Sequence, residues 1–201
     1  MPNRLPLRPI ETWKDDAHSL HETTLTSENV YHGVLVNAWR DEVQLPDGSK
    51  SAREFIKHPG ASAVIPVFDN GDILLLGQFR YPLKKTFLEI PAGKLDKGED
   101  PRITAIRELE EEAGLRCEHL VKIGDYHPVI GYSDEIIHLY LGWGLSEAEH
   151  HLDDDEFLNY YRIPYKKALE LIDANEISDS KTLVALLRGW RWWQKNGPFN
   201  I

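Results

Sequence analysis

The sequence has little of several residue patterns that define specialised protein classes. It contains a single cysteine, Cys117, among 201 residues. One thiol cannot form an intramolecular disulfide, which excludes a disulfide-stabilised miniprotein and predicts a reducing, cytoplasmic compartment. The longest uninterrupted aliphatic run, residues 73–76, falls far short of the roughly 20 residues of a membrane helix. The N-terminal residues lack the apolar stretch of a signal peptide, so we expect neither export nor a membrane partner.

Basic residues are also in deficit. The chain has 23 Lys plus Arg against 33 Asp plus Glu, a formal net charge of −10. This charge repels phosphate backbones and anionic lipid, so we expect no nucleic-acid partner. A phosphate-containing substrate would have to be bridged by a divalent cation or by a few well-placed arginines.

The overall composition is that of an ordinary folded protein. Hydrophobic residues make up 41% and charged residues 28% of the chain, which predicts one globular domain with an extension. We expect an N-terminal arm with a small antiparallel strand extension over residues 1–58, and the main domain over residues 59–201. The order of strands and helices predicts a mixed α+β fold in which hairpins make neighbouring strands antiparallel.

Local patterns predict the individual elements. Short hairpins are indicated by the turns around Asp47-Gly48 and Asn70-Gly71. Residues 1–28 are predicted to be irregular except for a short helix near residues 13–20. The predicted strands are residues 30–45, 51–56, 61–68, 72–79, 86–90, 120–126 and 135–143. The predicted helices are residues 101–113, ended by Gly114, residues 164–172, and a last helix that Ser178 or Asp179 caps and that ends near Lys195.

The helix over residues 101–113 carries an unusual charge pattern. At 100° per residue, Ile103, Ile106, Leu109 and Ala113 form an apolar stripe that we expect to face the core. Glu108, Glu111 and Glu112 lie together on the opposite side. Such like charges repel, which favours a compensating Mg²⁺ or Mn²⁺ ion bound by hard oxygen ligands. The alternative is a solvated acidic face without a ligand.

The loop before this helix favours the metal site. The segment has Gly93, Glu99, Arg107, Glu108, Leu109, Glu111, Glu112, Gly114 and Leu115. It resembles the Nudix hydrolases, whose box is a Gly, five residues, Glu, seven residues, then Arg-Glu-apolar-any-Glu-Glu-any-Gly-apolar. The sequence meets every position of that box.

The resemblance implies a fold and a chemistry. It implies the Nudix α/β/α sandwich and a metal-dependent enzyme that hydrolyses a nucleoside diphosphate linked to another group. Glu108 and Glu112 would bind metal, Glu111 would bind metal or act as the catalytic base, and the Ala92 carbonyl would be a backbone ligand. Four residues would be structural parts of the box: Gly93, Glu99, Arg107 and Gly114.

The flanking segments resemble one group within the family, the ADP-ribose pyrophosphatases. The similar segments are LEIPAGKLDKGE, GYSDEIIHLYL, LDDDEF and ALELIDANEISDSKTLVALL. The resemblance implies hydrolysis of ADP-ribose to AMP and ribose 5-phosphate by a homodimer whose N-terminal strands pair between subunits. Arg80 would bind the diphosphate, and Arg53 and Trp39 would contact the base. Glu156 would be a late catalytic or metal-binding residue, with Glu135 as the rival catalytic base and a further substrate contact.

One departure from that group concerns specificity. The group has a Ser-Pro-Gly before its Phe/Tyr-Ser-Asp-Glu, whereas Val129 and Ile130 precede Gly131 in this sequence. GDP-mannose or another sugar nucleotide therefore stays open as the main substrate. A non-catalytic nucleotide-sugar sensor and an acidic calcium-binding or scaffold protein are the alternatives from other classes. We expect His150 and His151 to lie in a solvated loop, and Trp190, Trp192 and Trp193 to serve packing or dimer contacts.

Overall fold

A computed structural model describes residues 8–151 and 156–201 of the chain. The described residues divide into two compact units. The N-terminal unit consists of the residues up to His58 together with Gly131–Asp134. The larger unit consists of Pro59–Ile130 and Glu135–Ile201.

The N-terminal unit contains a three-stranded antiparallel sheet in the order β1-β2-β3. The strands are β1 (Thr23–His32), β2 (Asn37–Gln44) and β3 (Lys50–Ile56). They follow two 3-10 turns, Ile10–Thr12 and Ala17–Leu20, which flank the short helix α1 (Trp13–Asp16).

The bounds of the first strands differ from the prediction, whereas the hairpin between β2 and β3 is confirmed. Residues 30–45 do not form one strand, because the chain turns at Gly33, whose N–H donates to the Val36 carbonyl at 2.8 Å. Residues 23–28, which we expected to be irregular, belong to β1. Three threonines in that stretch favour extended backbone because their branched side chains fit a pleated sheet.

The larger unit is built on a seven-stranded mixed sheet, five strands of which follow the order β10-β5-β4-β9-β8. Its two short strands lie off this path, β6 beside β5 and β7 beside β4. The strands are β4 (Ala61–Val67), β5 (Asp72–Arg80), β6 (Lys85–Glu89), β7 (Ala92–Lys94), β8 (Leu115–Tyr126), β9 (Ile137–Glu147) and β10 (Leu158–Pro164). A 3-10 turn, Tyr81–Leu83, separates β5 from β6. The prediction did not include β7 or β10.

Three helices complete the larger unit, and each was predicted. They are α2 (Pro101–Ala113), α3 (Tyr165–Asp173) and α4 (Ser180–Asn196). Asp100 caps α2, and Gly114 ends it in the left-handed conformation with φ 60°, which glycine adopts at little cost. Asp179 caps α4 by accepting a hydrogen bond from the Thr182 N–H. None of the helices within the described residues combines the length and apolarity that a membrane crossing requires.

Both faces of the large sheet are buried, as successive residues of β4 show. Ile65 packs on one side with residues of α3 and α4, including Tyr165 and Leu186. Val64 packs on the other side with Leu109 of α2. The sheet therefore lies between α2 on one face and α3 with α4 on the other, which confirms the predicted α/β/α sandwich.

The buried face of α2 is not the one that the apolar pattern predicted. Leu109 is fully buried, but Ile103 is 54% exposed. Glu108 and Glu112 are buried instead. The carboxylates turn inward because the backbone at the start of β7 offers Glu112 a hydrogen-bond donor, the Ala92 N–H at 2.8 Å. A helical wheel of apolar residues cannot predict this burial, because the hydrogen-bond donor lies on another element of the fold.

Candidate active site

The candidate site lies where α2 meets β7. Gly93 is in β7, and a Cβ added there would come within 1.9 Å of the Glu108 Oε1. Any side chain at this position would therefore displace the Glu108 carboxylate. Glycine is needed here for the close approach of β7 to α2.

Glu112 lies one turn further along the same face of α2. Its Oε2 accepts the hydrogen bond from the Ala92 N–H, so the carboxylate is attached to the backbone beside Gly93. Glu112 is 5% exposed and Glu108 is 8% exposed. Two carboxylates are therefore removed from water close to each other, which is costly if both are ionised.

The titration of these two residues reflects that cost. The pKa of Glu112 is raised to about 8, mainly by burial and in part by the nearby charges of Glu108 and Glu156, against the opposing hydrogen bond from the Ala92 N–H. Burial raises the pKa of Glu108 to about 7, although Arg107 opposes the shift. Without a cation, Glu112 is mostly protonated and Glu108 partly protonated near neutral pH, where isolated carboxylates would be ionised.

Arg107 connects the remaining charged residues of the box. Its Nη1 donates to Glu108 at 2.7 Å and to Glu111 at 2.8 Å. Its Nη2 donates to Glu99 at 3.2 Å and to the Lys94 carbonyl at 3.0 Å. Hydrogen bonds from Arg107 are the main reason that the pKa of Glu99 falls to about 2. Arg107 thus holds the loop before α2 against the helix.

The donor chemistry of the site fits a hard divalent cation. Its ligands would be oxygens, and a cation would replace the protons on Glu108 and Glu112 and relieve their repulsion. Within residues 8–151 and 156–201, no three carboxylate, imidazole or thiol groups already form a ready metal site. Glu108 and Glu111 both accept hydrogen bonds from Arg107 instead.

Two further acidic residues were predicted as catalytic. Glu156 precedes β10, and its charge contributes to the raised pKa values of both Glu108 and Glu112. The structure thus brings Glu156 close to the box carboxylates. Glu135 lies half-buried before β9. The acidic residues at 153–155 lie outside the described residues.

Arg80, the predicted diphosphate ligand, is at the end of β5. Its Nε and Nη2 donate to the two oxygens of Glu89, each at 2.7 Å. Hydrogen bonding to Glu89 raises the pKa of Arg80, and the charge of Glu112 adds to the shift. Arg80 therefore lies near the box carboxylates.

The two predicted base contacts belong to the N-terminal unit and already have partners there. The Arg53 guanidinium donates to both oxygens of Glu22, at 2.9 and 2.6 Å. The Lys57 ammonium lies 3.3 Å from the centroid of the Trp39 ring. A stacked base would have to use the other face of Trp39 or displace Lys57.

Comparison with known proteins agrees with this geometry. The model of the NUDIX domain matches residues 57–186, which include the carboxylates of α2, the loop at Gly93 and Arg80. The chain belongs to the Nudix family. Nudix hydrolases generally use a divalent metal ion.

Several known proteins are similar to this Nudix chain over most of its length. An ADP-ribose pyrophosphatase of Bacillus subtilis (strain 168) is 44% identical over 170 residues, 84% of this chain and 92% of the relative. A methanol dehydrogenase activator of Bacillus methanolicus is 46% identical over 167 residues, 82% and 90% of the two chains. A solved structure described as an ADP compounds hydrolase superposes with a TM-score of 0.78 at 20% identity, covering 89% of this chain and 97% of the other.

These findings confirm three predictions from the sequence. The family is Nudix, the fold is the Nudix sandwich, and the chain is a Nudix pyrophosphohydrolase. The roles of individual site residues remain predictions.

Sequence reasoning missed several residues around the Nudix site. Contacts beside Arg80 are formed by Glu89, Lys181 and Thr182. None of these residues belongs to the box, so the box did not predict them. His150 is exposed in a loop, as expected, but its contacts were not predicted: its Nε2 lies 2.6 Å from the Tyr160 hydroxyl and 3.3 Å from the Glu112 carbonyl. The spacing of these residues in the sequence is too irregular to have revealed the contacts.

Proposed function

We propose that this Nudix enzyme hydrolyses the diphosphate bond of nucleoside diphosphate sugars, and that ADP-ribose is its main substrate. Water would be added across the bond, giving AMP and ribose 5-phosphate. The observation that carries the proposal is the pair of buried carboxylates, Glu108 and Glu112, on α2 beside Gly93. The name of the Bacillus subtilis relative, an ADP-ribose pyrophosphatase, supports the choice of substrate.

The proposed cofactor is Mg²⁺, with Mn²⁺ as the alternative. Its ligands would be Glu108, Glu111, Glu112, Glu156 and the Ala92 carbonyl. A bound divalent cation supplies charge neutralisation for the diphosphate and lowers the pKa of a bound water molecule. The oxygen-rich donor set and the burial of Glu108 and Glu112 support this assignment.

The other residues would bind the substrate and accept the proton of the attacking water. Arg80 would hold the diphosphate, since a guanidinium matches phosphate oxygens in charge and shape. Arg53 and Trp39 would contact the base. Glu111 and Glu156 are the proton acceptors that the box and its acidic surroundings favour, and Glu135 is the third candidate as base and a substrate contact.

We further propose a cytoplasmic homodimer. The single cysteine supports the compartment. The N-terminal sheet supports the dimer, because the ten residues of β1 are all exposed and β1 is an edge of its sheet. An exposed edge strand is a surface that another chain can pair with.

A panel of sugar nucleotides tests the proposed activity. ADP-ribose, GDP-mannose and UDP-glucose would be incubated with the enzyme and Mg²⁺, and the released monophosphate measured by chromatography. We expect AMP from ADP-ribose at a rate that chelation of the metal abolishes. Calorimetric binding of ADP-ribose without any AMP release in Mg²⁺ would instead identify a sensor and contradict the proposal.

A second candidate function rests on the Bacillus methanolicus relative, a methanol dehydrogenase activator that is 46% identical. The chain would then increase the activity of a dehydrogenase. The test is the rate of a methanol dehydrogenase with and without the chain. A Glu112→Gln variant in the same assay would show whether any activation needs the α2 carboxylates.

A further inference from the structure

Glu89 lies at the centre of a charged cluster next to the Nudix box. Its side chain is 4% exposed, and both of its oxygens accept hydrogen bonds from Arg80. Lys181, in the first turn of α4, also donates to Glu89. Burial would raise the pKa of Glu89, but Arg80 and Lys181 outweigh it and hold the pKa below its ordinary value. Glu89 is therefore an anion held between two cations.

The start of α4 fixes Lys181 in turn. Lys181 is 12% exposed, and its Nζ donates to Asp179 at 3.0 Å. Asp179 also caps α4 through the Thr182 N–H at 3.0 Å. The ammonium group is thus held by one carboxylate of its own helix and by Glu89 of β6.

The same turn of α4 also binds Ile90, the residue that follows Glu89. The hydroxyl of Thr182, which is fully buried, accepts a hydrogen bond from the Ile90 N–H at 3.0 Å. Lys181 and Thr182, which are adjacent in α4, therefore bind Glu89 and Ile90, which are adjacent at the end of β6. Ala92 follows two residues later and donates to Glu112. The segment between β6 and β7 is attached to α4 at one end and to the carboxylate helix α2 at the other.

The cluster borders a pocket and lies close to the site carboxylates. Arg80, Phe87 and Lys181 line part of a pocket of about 310 Å³, which is within the size range of small-molecule sites. The charge of Lys181 lowers the pKa of Glu112, although burial of Glu112 outweighs this effect. Arg80 uses only Nε and Nη2 for Glu89, so its Nη1 lies on the side away from that carboxylate.

We infer that Lys181 is a positioning residue that acts through Glu89 to set the orientation of Arg80 for the substrate. Lys181 itself need not touch the substrate. A guanidinium attached to Glu89 alone can swing with that carboxylate, whereas Lys181 and Asp179 fix the carboxylate to the start of α4. This inference rests on the proposed function, because it assumes that Arg80 binds the diphosphate.

Steady-state kinetics of Lys181→Met with ADP-ribose test the inference. The substitution removes the charge and keeps much of the length of the side chain. We expect KM to rise about 10-fold while kcat stays within about 3-fold, the signature of lost binding. Lys181→Arg should bring KM back to within about 3-fold of wild type, because it restores a cation. A lowered melting temperature with unchanged KM would overturn the inference, since it would show a purely structural role.

A double-mutant cycle with Arg80→Met tests whether Lys181 acts through Arg80. We expect Arg80→Met to lower kcat/KM about 100-fold, and the double variant to lie within about 3-fold of Arg80→Met alone. Independent effects would multiply to about 1000-fold, and this result would overturn the inference.

Two further variants serve as a control and as a second test of the role of Lys181. Lys167→Met removes an exposed lysine of α3 that pairs with Glu170 at 2.9 Å, and we expect wild-type kinetics. Asp179→Asn keeps a capping residue but removes the charge beside Lys181, so we expect KM to rise about 3-fold. If Lys181→Met does not fold, an unchanged KM in Asp179→Asn overturns the inference. A wild-type chain that releases no AMP would refute the proposed function and the inference together, whereas an active wild type with unaffected variants would refute the inference alone.

Discussion

Glu112 shows how a single side chain links the fold to the proposed chemistry. It is 5% exposed, accepts one backbone hydrogen bond from Ala92, and lies near Glu108 and Glu156. A buried carboxylate is expensive to ionise unless a cation or donors compensate for the charge. Ionising Glu112 beside Glu108 and Glu156 costs free energy without a metal. A bound divalent ion would remove this cost, so we expect the site to bind one.

Replacement of Glu112 by Gln should abolish most activity while preserving the fold. The change removes a charge without changing the volume, so we expect turnover of ADP-ribose to fall by about two orders of magnitude or more. The melting temperature without metal should change little, because the amide resembles the protonated carboxyl. Glu110→Gln is the matched control, since Glu110 is on the same helix and pairs with Arg116 at 2.9 Å. A folded Glu112→Gln enzyme with near-normal turnover would show that Glu112 is not a metal ligand.

The pH dependence of stability should differ between the metal-free and the metal-bound protein. The folded pKa values of Glu108 and Glu112, about 7 and about 8, lie above that of an unfolded glutamate, so the folded state binds more protons between these limits. The free energy of unfolding without metal should therefore fall by several kcal/mol as pH rises from 5 to 9. A divalent ion displaces these protons, so its stabilising effect should grow over the same range.

Urea unfolding at pH 6 and pH 9, with Mg²⁺ or with chelator, measures both trends. Glu112→Gln should flatten the metal-free trend, because it removes the group with the higher pKa. A stabilisation by Mg²⁺ that is larger at pH 6 than at pH 9 would contradict the assignment of these carboxylates as ligands.

The contact between β7 and α2 is the element on which the geometry of the site depends. A Cβ at Gly93 would lie 1.9 Å from the Glu108 Oε1 and 2.1 Å from its Cδ. Gly93→Ala should therefore displace the Glu108 carboxylate and lower kcat/KM at least about 10-fold. Lys94→Ala, one residue along the same strand, adds no atom near Glu108 and should retain activity. Wild-type kinetics in Gly93→Ala would mean that the position of Glu108 is unimportant.

Much of this architecture follows from local sequence signals. Gly114 and Asp179 predicted a helix end and a helix start that the structure contains, because capping depends on neighbouring residues alone. The box predicted the carboxylates of α2 by their spacing. The rotation of α2 that buries these carboxylates could not be predicted. The partner of Glu112 is the backbone N–H of Ala92, and a backbone group leaves no trace in the residue pattern.

Long-range contacts were beyond the sequence for a related reason. Lys181 and Glu89 are separated by 92 positions, and only the fold brings α4 to the end of β6. The strand β10 was missed because its sequence, LNYYRIP, lacks a clear alternation of apolar and polar residues, and five of these seven residues are exposed in the structure. Pairing with β5 forms this strand, which is a tertiary effect that overrides local preference.

The assembly of the whole molecule should depend on the N-terminal sheet. Exposed apolar side chains on β1 and in the turn after it include Leu25, Val30 and Val34, and β1 is a sheet edge. We expect light scattering to give a mass near 46 kDa, twice the 23.1 kDa of one chain. Leu25→Asp should shift the equilibrium towards the monomer by placing a charge in the interface. A stable, active wild-type species near 23 kDa would count against the dimer.

The substrate range of the whole enzyme should be broad. Ile130, where the sequence departs from the ADP-ribose pyrophosphatase pattern, is 84% exposed. The proline of this loop, Pro128, stands two positions earlier, so no proline fixes the backbone directly before Gly131. We expect ADP-ribose to be hydrolysed, with kcat/KM for GDP-mannose within about 100-fold of it, a gap of about 2.7 kcal/mol. Parallel kinetics with both substrates at one Mg²⁺ concentration measure this ratio. A preference for ADP-ribose above about 1000-fold over each sugar nucleotide tested would show that the loop has not relaxed the site.

Phosphorus NMR of the reaction tests most directly whether the carboxylates of α2 support a metal-dependent hydrolysis of ADP-ribose. With Mg²⁺ present, the two diphosphate signals of ADP-ribose should be replaced by equal amounts of the signals of AMP and ribose 5-phosphate. The conversion should stop when the metal is chelated and should be slower by about two orders of magnitude in Glu112→Gln. Diphosphate signals that persist with the wild-type enzyme and Mg²⁺, or a conversion that continues at full rate after chelation, would contradict the claim.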